Sequence, residues 1–166
     1  MDTLSYLAYG SNLWPPRLAA RVGPVATVDR VRLDGWALCF DKRGADGSGK
    51  CTLEARPGSV SYGAIYTLSG AARAILDRIE GVGQGYLGHW LEIENRGPCY
   101  VYLAEDRWRQ RDLAPFDWYK ALVLAGARQH DFPPAYLSQI EAVAAVPDAD
   151  SVRTTRNQGE LDAPNK

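Results

Sequence analysis

Glycine and proline cut the first half of this chain into short segments, and that punctuation points to short strands joined by turns. The breaks fall at Gly23-Pro24, Asp34-Gly35, the glycine-rich stretch 44–49 and Pro57-Gly58. The runs left between them, 4–9, 25–33, 36–40, 51–55 and 59–68, are rich in Val, Ile, Tyr and Trp. Such residues favour a pleated surface, and Gly and Pro supply its turns, so these runs predict strands. A short helix is expected after the first strand, with Pro15 or Pro16 at its start and Gly23 at its end. Further on the period changes. In SGAARAILDRIEG, Ser69 is a cap, Ala72, Ile75, Leu76 and Ile79 form a stripe at helical spacing, and Gly81 terminates. Two more strands, about 87–94 and 99–104, precede helices over 116–129 and 134–145. Strands mostly early and helices mostly late indicate an α+β fold in place of alternating β-α-β units.

The 166 residues suit one domain, placed at 1–150. SVRTTRNQGELDAPNK, residues 151–166, has almost no apolar content and reads as a mobile tail. With 19 basic and 20 acidic side chains the formal charge is −1, which offers no footprint for nucleic acid and no polybasic segment for a membrane surface. No apolar run approaches the roughly 18–20 residues of a membrane span. MDTLSYLAYGSN lacks the apolar stretch of a signal peptide, so a cytoplasmic protein is expected. Cys39, Cys51 and Cys99 are widely spaced, without a C-x-x-C pair, and the histidines are His89 and His130. Free thiols in a reducing compartment are expected from this, with no metal and no cofactor. Tyr136, Trp108 and Trp90 are core or interface, which leaves a homodimer open.

GADGSGK, residues 44–50, satisfies G-x-x-x-x-G-K, the pattern of a phosphate-cradling loop. The next residue is Cys51 where a magnesium-binding hydroxyl is required, and a soft thiol is a poor ligand for that hard ion. The following CTLEARPG has the pattern of a strand, whereas a phosphate loop opens into a helix. A loop joining two strands fits better. Ser11 lacks the G-x-S-x-G setting of a hydrolase nucleophile.

Two features remain. LAYGSNL, residues 7–13, ends a strand in small residues whose backbone N–H groups are free to turn toward an anion or a developing negative charge. Glu80 sits at the C-terminal end of its helix, where the macrodipole disfavours a negative charge, and continues the stripe four residues after Leu76. Helix-end charge and partial burial would both push its pKa upward, toward the range of a general acid–base group. A glutamate that swings into water fits the local pattern equally.

Together, Tyr9-Gly10-Ser11-Asn12-Leu13 after the first strand, KRGADGSGK between strands, YGAIYTL, ILDRIEGVGQGY and the Trp118-Tyr119-Lys120 helix start resemble the gamma-glutamyl cyclotransferase-like family, in order from about residue 4 to residue 145. The resemblance implies a compact α+β fold with a small mixed, barrel-like sheet packed with helices. It implies release of 5-oxoproline from a small gamma-glutamyl substrate, without a cofactor. On that reading Glu80 matches the catalytic acid–base residue, Tyr9, Gly10, Ser11, Asn12 and Leu13 the substrate-holding loop, and Tyr86 and Tyr119 pocket aromatics. The alternative is a module of the same fold that binds a small molecule or a partner without turnover. An unperturbed glutamate and an α-amine differ by about 3.5 pKa units, or roughly 5 kcal/mol of uphill proton transfer. A raised Glu80 would remove part of that cost.

Overall fold

The computed structural model describes residues 2–164. Its centre is β1 (Thr3–Ala8), whose residues Tyr6, Leu7 and Ala8 are buried in succession. An uninterrupted apolar run of this kind belongs to a strand covered on both faces. β1 pairs antiparallel with β3 (Gly49–Ser69) and parallel with β5 (Gly97–Ala104). With β2 (Thr27–Arg43) outside β3 and β4 (Tyr86–Ile93) outside β5, the mixed five-stranded sheet has the order β2-β3-β1-β5-β4.

Two of the sequence breaks do not end strands. The runs 25–33 and 36–40 join into β2, and 51–55 and 59–68 join into β3. At the joint, Asp34 faces Val60 and Trp36 faces Ala55. Gly35, at φ +79°, lies opposite residues 56–59. Pro57 has no N–H for a ladder, and this bulge removes the demand for one while bending the hairpin. Because β3 is bent, its second half lies along β1 while its first half reaches β5, where Thr52 Oγ1 accepts from the Ala104 N–H at 2.9 Å. The sheet therefore curls, as a barrel-like sheet must. Gly44–Ser48 turns the hairpin, and Lys50 donates to Asp46 at 2.8 Å. A strand follows this loop, so it lacks the helix a phosphate would need.

α1 (Pro15–Val22) and α2 (Gly70–Glu80) begin and end as their sequences require. Ser69 Oγ accepts from the Ala72 N–H at 3.1 Å, and Gly81 closes α2 in the left-handed conformation at φ +69°. The α2 stripe is anchored by Leu76, fully buried, whereas Ile79 is exposed. Each fully buried side chain of that size contributes about 1.5–3 kcal/mol. α3 (Asp117–Gln129) buries Trp118, Tyr119, Leu122, Val123 and Gly126. A Cβ on Gly126 would stand 2.4 Å from Leu13 Cβ, so the missing side chain is what lets α3 rest on the 11–13 turn. α4 (Pro134–Glu141) is shorter than expected. Lys120 Nζ ends it by donating to the Glu141 and Val143 carbonyls at 3.0 and 2.8 Å.

The expectation of a mobile tail is corrected at residues 151–161, which form α5 (Ser151–Leu161). Asp150 caps it by accepting from the Arg153 N–H at 2.9 Å. Long-range polar contacts hold it down: Trp14 Nε1 donates to the Glu160 carbonyl at 2.8 Å, and Arg17 donates to Asn157 Oδ1 at 3.0 Å and to the Glu160 carboxylate. Below α5, Asp148 accepts from Trp118 and is clamped by Arg153, which holds its carboxyl well below the usual carboxylate range. Among the expected core-or-interface aromatics, Tyr136 is core, Trp108 is half-buried, and Trp90 is 58% exposed on edge strand β4.

Candidate active site

β1 ends at Ala8, and the next four residues form the floor of a recess. Ser11–Leu13 is a single 3₁₀ turn, so the Leu13 N–H reaches back to the Gly10 carbonyl at 3.0 Å. Ahead of that turn, the N–H groups of Gly10, Ser11 and Asn12 meet no acceptor among the described residues. Gly10 is needed for space more than for turning: a Cβ there would lie 2.9 Å from Cys51 Cβ. Leu13 departs from its expected role. Its side chain is wholly buried, its N–H is engaged, and its carbonyl oxygen lies 2.9 Å from both Tyr66 Oη and His130 Nε2. It anchors the loop from behind and does not face a ligand.

Glu80 arrives from the last position of α2 and turns inward. Its Oε1 accepts from Asn12 Nδ2 at 2.9 Å and from Arg21 Nη1 at 2.8 Å. The side chain is 16% exposed. Arg21 comes from the last turn of α1 and also donates to Asn12 Oδ1 at 2.9 Å, closing a three-residue cycle. The penalty expected for a charge at this helix end is thus met by a guanidinium and an amide. Oε2 has no hydrogen-bond partner among the described residues. One oxygen is tethered and the other is presented.

Tyrosines form the walls. Tyr86 Oη donates to the Cys51 carbonyl at 2.6 Å, and Tyr119 Oη accepts from the Cys51 N–H at 3.0 Å. Tyr9 donates to the Tyr102 carbonyl, and Tyr6 Oη accepts from Asn12 Nδ2 at 2.9 Å. Burial is the first cause that drives the phenols of Tyr6, Tyr9, Tyr86 and Tyr119 well above their ordinary pKa, so all four are neutral hydroxyls at physiological pH. Burial likewise pushes the Cys51 thiol up to about 12, which removes it as a thiolate nucleophile.

Tyr9, Gly10, Ser11, Asn12, Glu80, Tyr86 and Tyr119 therefore share one recess, and only Leu13 of the expected residues lies outside it. The recess is about 30 Å³, room for a single water-sized group. It opens past Ser11, Glu80, Tyr86 and Tyr119 into an outer cleft of about 480 Å³. Sequence reading missed Tyr6, Tyr102, Arg21 and Lys42. Arg21 follows Asn12 by nine positions and no local pattern marks it. Lys42 lies in the KRGADGSGK stretch that carries the resemblance, and no local pattern separates it from its neighbours. His89 and Trp90, after Tyr86, are exposed and take no part in the recess.

The α+β domain thus holds one tethered carboxylate at a helix end in the same recess as the Gly10–Asn12 backbone and neutral tyrosines. The description "AIG2-like family" belongs to the family model that matches residues 60–140. Mouse gamma-glutamylcyclotransferase is 26% identical over 152 residues, covering 86% of this chain and 79% of the relative. Its human counterpart is 25% identical over the same length and coverage. The solved structure of a gamma-glutamyl cyclotransferase superposes with a TM-score of 0.85 at 22% identity, covering 98% of this chain and 100% of that one. In sequence and in fold the chain is similar to the gamma-glutamyl cyclotransferases.

Proposed function

We propose that this protein is a gamma-glutamyl cyclotransferase. The α-amine of a bound gamma-glutamyl compound attacks its own γ-carbonyl carbon and closes a five-membered ring. The bond from that carbon to the departing nitrogen then breaks, releasing 5-oxoproline and an amine or amino acid. Holding a tethered nucleophile at the carbonyl is worth effective molarities of about 10⁵–10⁸ M when the geometry is kept. The α-ammonium must first lose a proton. Glu80 Oε2 takes it and returns it to the departing nitrogen; the second proton that the attacking nitrogen sheds on becoming the ring amide passes to the same carboxylate and leaves with the product amine as its ammonium. The N–H groups of Gly10, Ser11 and Asn12 stabilise the oxyanion that forms between these steps, and one good donor of this kind contributes about 2.7–4 kcal/mol. Tyr86 and Tyr119, fixed to Cys51, are walls and neutral hydrogen-bonding groups.

The observation that supports this reading best is the state of Glu80, oriented by Asn12 and Arg21 through one oxygen and open through the other. The small recess receives one oxygen-bearing group, and the rest of the substrate occupies the outer cleft. Release of 5-oxoproline from a panel of gamma-glutamyl compounds, followed by mass spectrometry for wild type and Glu80→Gln side by side, is the test. Product from wild type alone is expected. Full turnover by Glu80→Gln would remove Glu80 from the chemistry. Silence of both proteins across the panel would move the assignment to a binding module of the same fold.

A further inference from the structure

One buried cation of the outer cleft has no acid partner among the described residues. Lys42, in the last turn-ward residues of β2, is only 7% exposed, a burial that a lysine adopts rarely and at a cost. Of the other cations that line this cleft, Arg17 has Glu160, Arg21 has Glu80, Lys50 has Asp46 and Arg153 has Asp148, while Arg156 has no acid but is exposed to solvent. Lys42 Nζ makes no ion pair and no hydrogen bond among the described residues. It is held over ring faces instead, 4.6 Å from the Tyr86 centroid and 5.8 Å from that of Trp108.

The surrounding chain is shaped to keep it there. Gly85 has φ +138°, and a Cβ at that position would lie 2.8 Å from both Lys42 Cε and Nζ. Trp108 is positioned by its neighbour: Arg109 clamps Asp41, the residue before Lys42, at 3.1 and 2.8 Å, and the Gln110 N–H donates to the Asp41 carbonyl at 2.7 Å. Glu80 and Asp46 act on this ammonium only through space, so its three donors, set between aromatic walls, are left for an acceptor from outside the chain. Lys42 lines the outer cleft and not the inner recess, so it stands on the side where the departing half of the substrate lies.

We infer that Lys42 is a specificity-determining residue that receives a carboxylate on the departing amine, so that the protein selects gamma-glutamyl compounds of amino acids or peptides over those of simple alkylamines. This rests on the cyclotransferase reading of Glu80. The glutamyl half is common to both substrate classes, so comparing them isolates the departing carboxylate. A hydrogen-bonded pair with one charged partner is worth enough to change affinity about 10- to 100-fold.

The test uses gamma-glutamyl-alanine and gamma-glutamyl-ethylamide with wild type and Lys42→Met. The expected result is a fall of about 10- to 100-fold in the ratio of kcat/KM for the alanine compound to that for the ethylamide compound, mainly through a rise in KM for the alanine compound. Because the readout is a ratio measured on one sample, it is independent of how much of the variant is folded. An equal loss on both substrates, or no loss on either, overturns the role of Lys42. Calorimetric binding of the same two compounds to Glu80→Gln and to Glu80→Gln/Lys42→Met separates this inference from the reading beneath it. If wild type releases no 5-oxoproline, the cyclotransferase reading fails, while preferential binding of the alanine compound that disappears with Lys42→Met still supports the lysine's role. Equal affinity of Glu80→Gln for the two compounds, or binding of neither, overturns it.

Discussion

The inner recess and the outer cleft share Ser11, Glu80, Tyr86 and Tyr119, yet they are built on opposite principles. In the recess nearly every polar side chain is tied to backbone or to a neighbour. Tyr86 and Tyr119 grip Cys51, Tyr9 grips Tyr102, and Asn12 bridges Tyr6 and Glu80. What stays unengaged is one carboxylate oxygen and a row of backbone N–H groups. In the cleft the charges are mostly cations, the volume is larger, and an ammonium is left without an acid. Tight, neutral walls suit a site that must place a few atoms accurately, because rigid groups need no reorganisation as charge develops. A roomy cationic surface suits recognition of a group that varies between substrates. Under the proposed function, chemistry falls to the recess and selection to the cleft.

Glu80→Gln should break the recess most severely, lowering kcat by about 10²–10⁴-fold, as expected for loss of a general acid–base group. Binding of gamma-glutamyl-alanine by calorimetry should survive, since the cleft is intact. The Lys42→Met experiment is the converse, changing the ratio between the alanine and ethylamide compounds. Gly10→Ala attacks recess geometry without touching a charge. Its Cβ would meet Cys51 at 2.9 Å, so the gripped backbone must move. A loss of stability of about 1–3 kcal/mol by denaturant titration is expected from overpacking, together with a fall in kcat.

Arg17→Met tests the outer wall. It removes the contacts to Ser11 Oγ, Asn157 and Glu160 that fasten α5. Accelerated hydrogen exchange over 151–161 is expected, with a global cost of about 1–3 kcal/mol, because Glu160 keeps partial access to water. Retention of wild-type protection in α5 would show that the helix is fastened elsewhere.

The smallest effect is a pH dependence of stability from His130. Burial is the main cause that lowers its folded pKa below the ordinary 6.5, against a contribution from the Leu13 carbonyl. The unfolded chain then binds the proton more readily than the folded one. This contribution to stability is full above about pH 6.5 and is lost as the pH falls from there toward the depressed folded value. Tm measured across that window should decline on acidification, and the part due to this group should vanish in His130→Asn.

Much of the architecture was legible because it rests on local rules. Ser69 and Gly81 bound α2, Pro15 starts α1, and the burial of Trp118, Tyr119, Leu122 and Val123 follows helical spacing. The strand breaks at Asp34-Gly35 and Pro57-Gly58 misled for a local reason as well: the residues are turn formers, and only their meeting across the hairpin converts two breaks into one bulge.

The site divides in the same way. Gly10-Ser11-Asn12 and Glu80 could be singled out in one dimension, since small residues after a strand and an acid at a helix end are unusual in themselves. Chain order said nothing of Arg21 closing on Glu80 from 59 residues away, or of Trp108 and Gly85 caging Lys42. Nor could it reveal that α5 is ordered, because a helix poor in apolar residues has no stripe to read and is held by Trp14 and Arg17 more than 130 positions earlier. The linear sequence determined where helices and turns begin, through caps, spacing and backbone conformation. Only the tertiary structure decided which charges are answered, because a cation and its acid are brought together by the packing of elements whose sequences carry no record of each other.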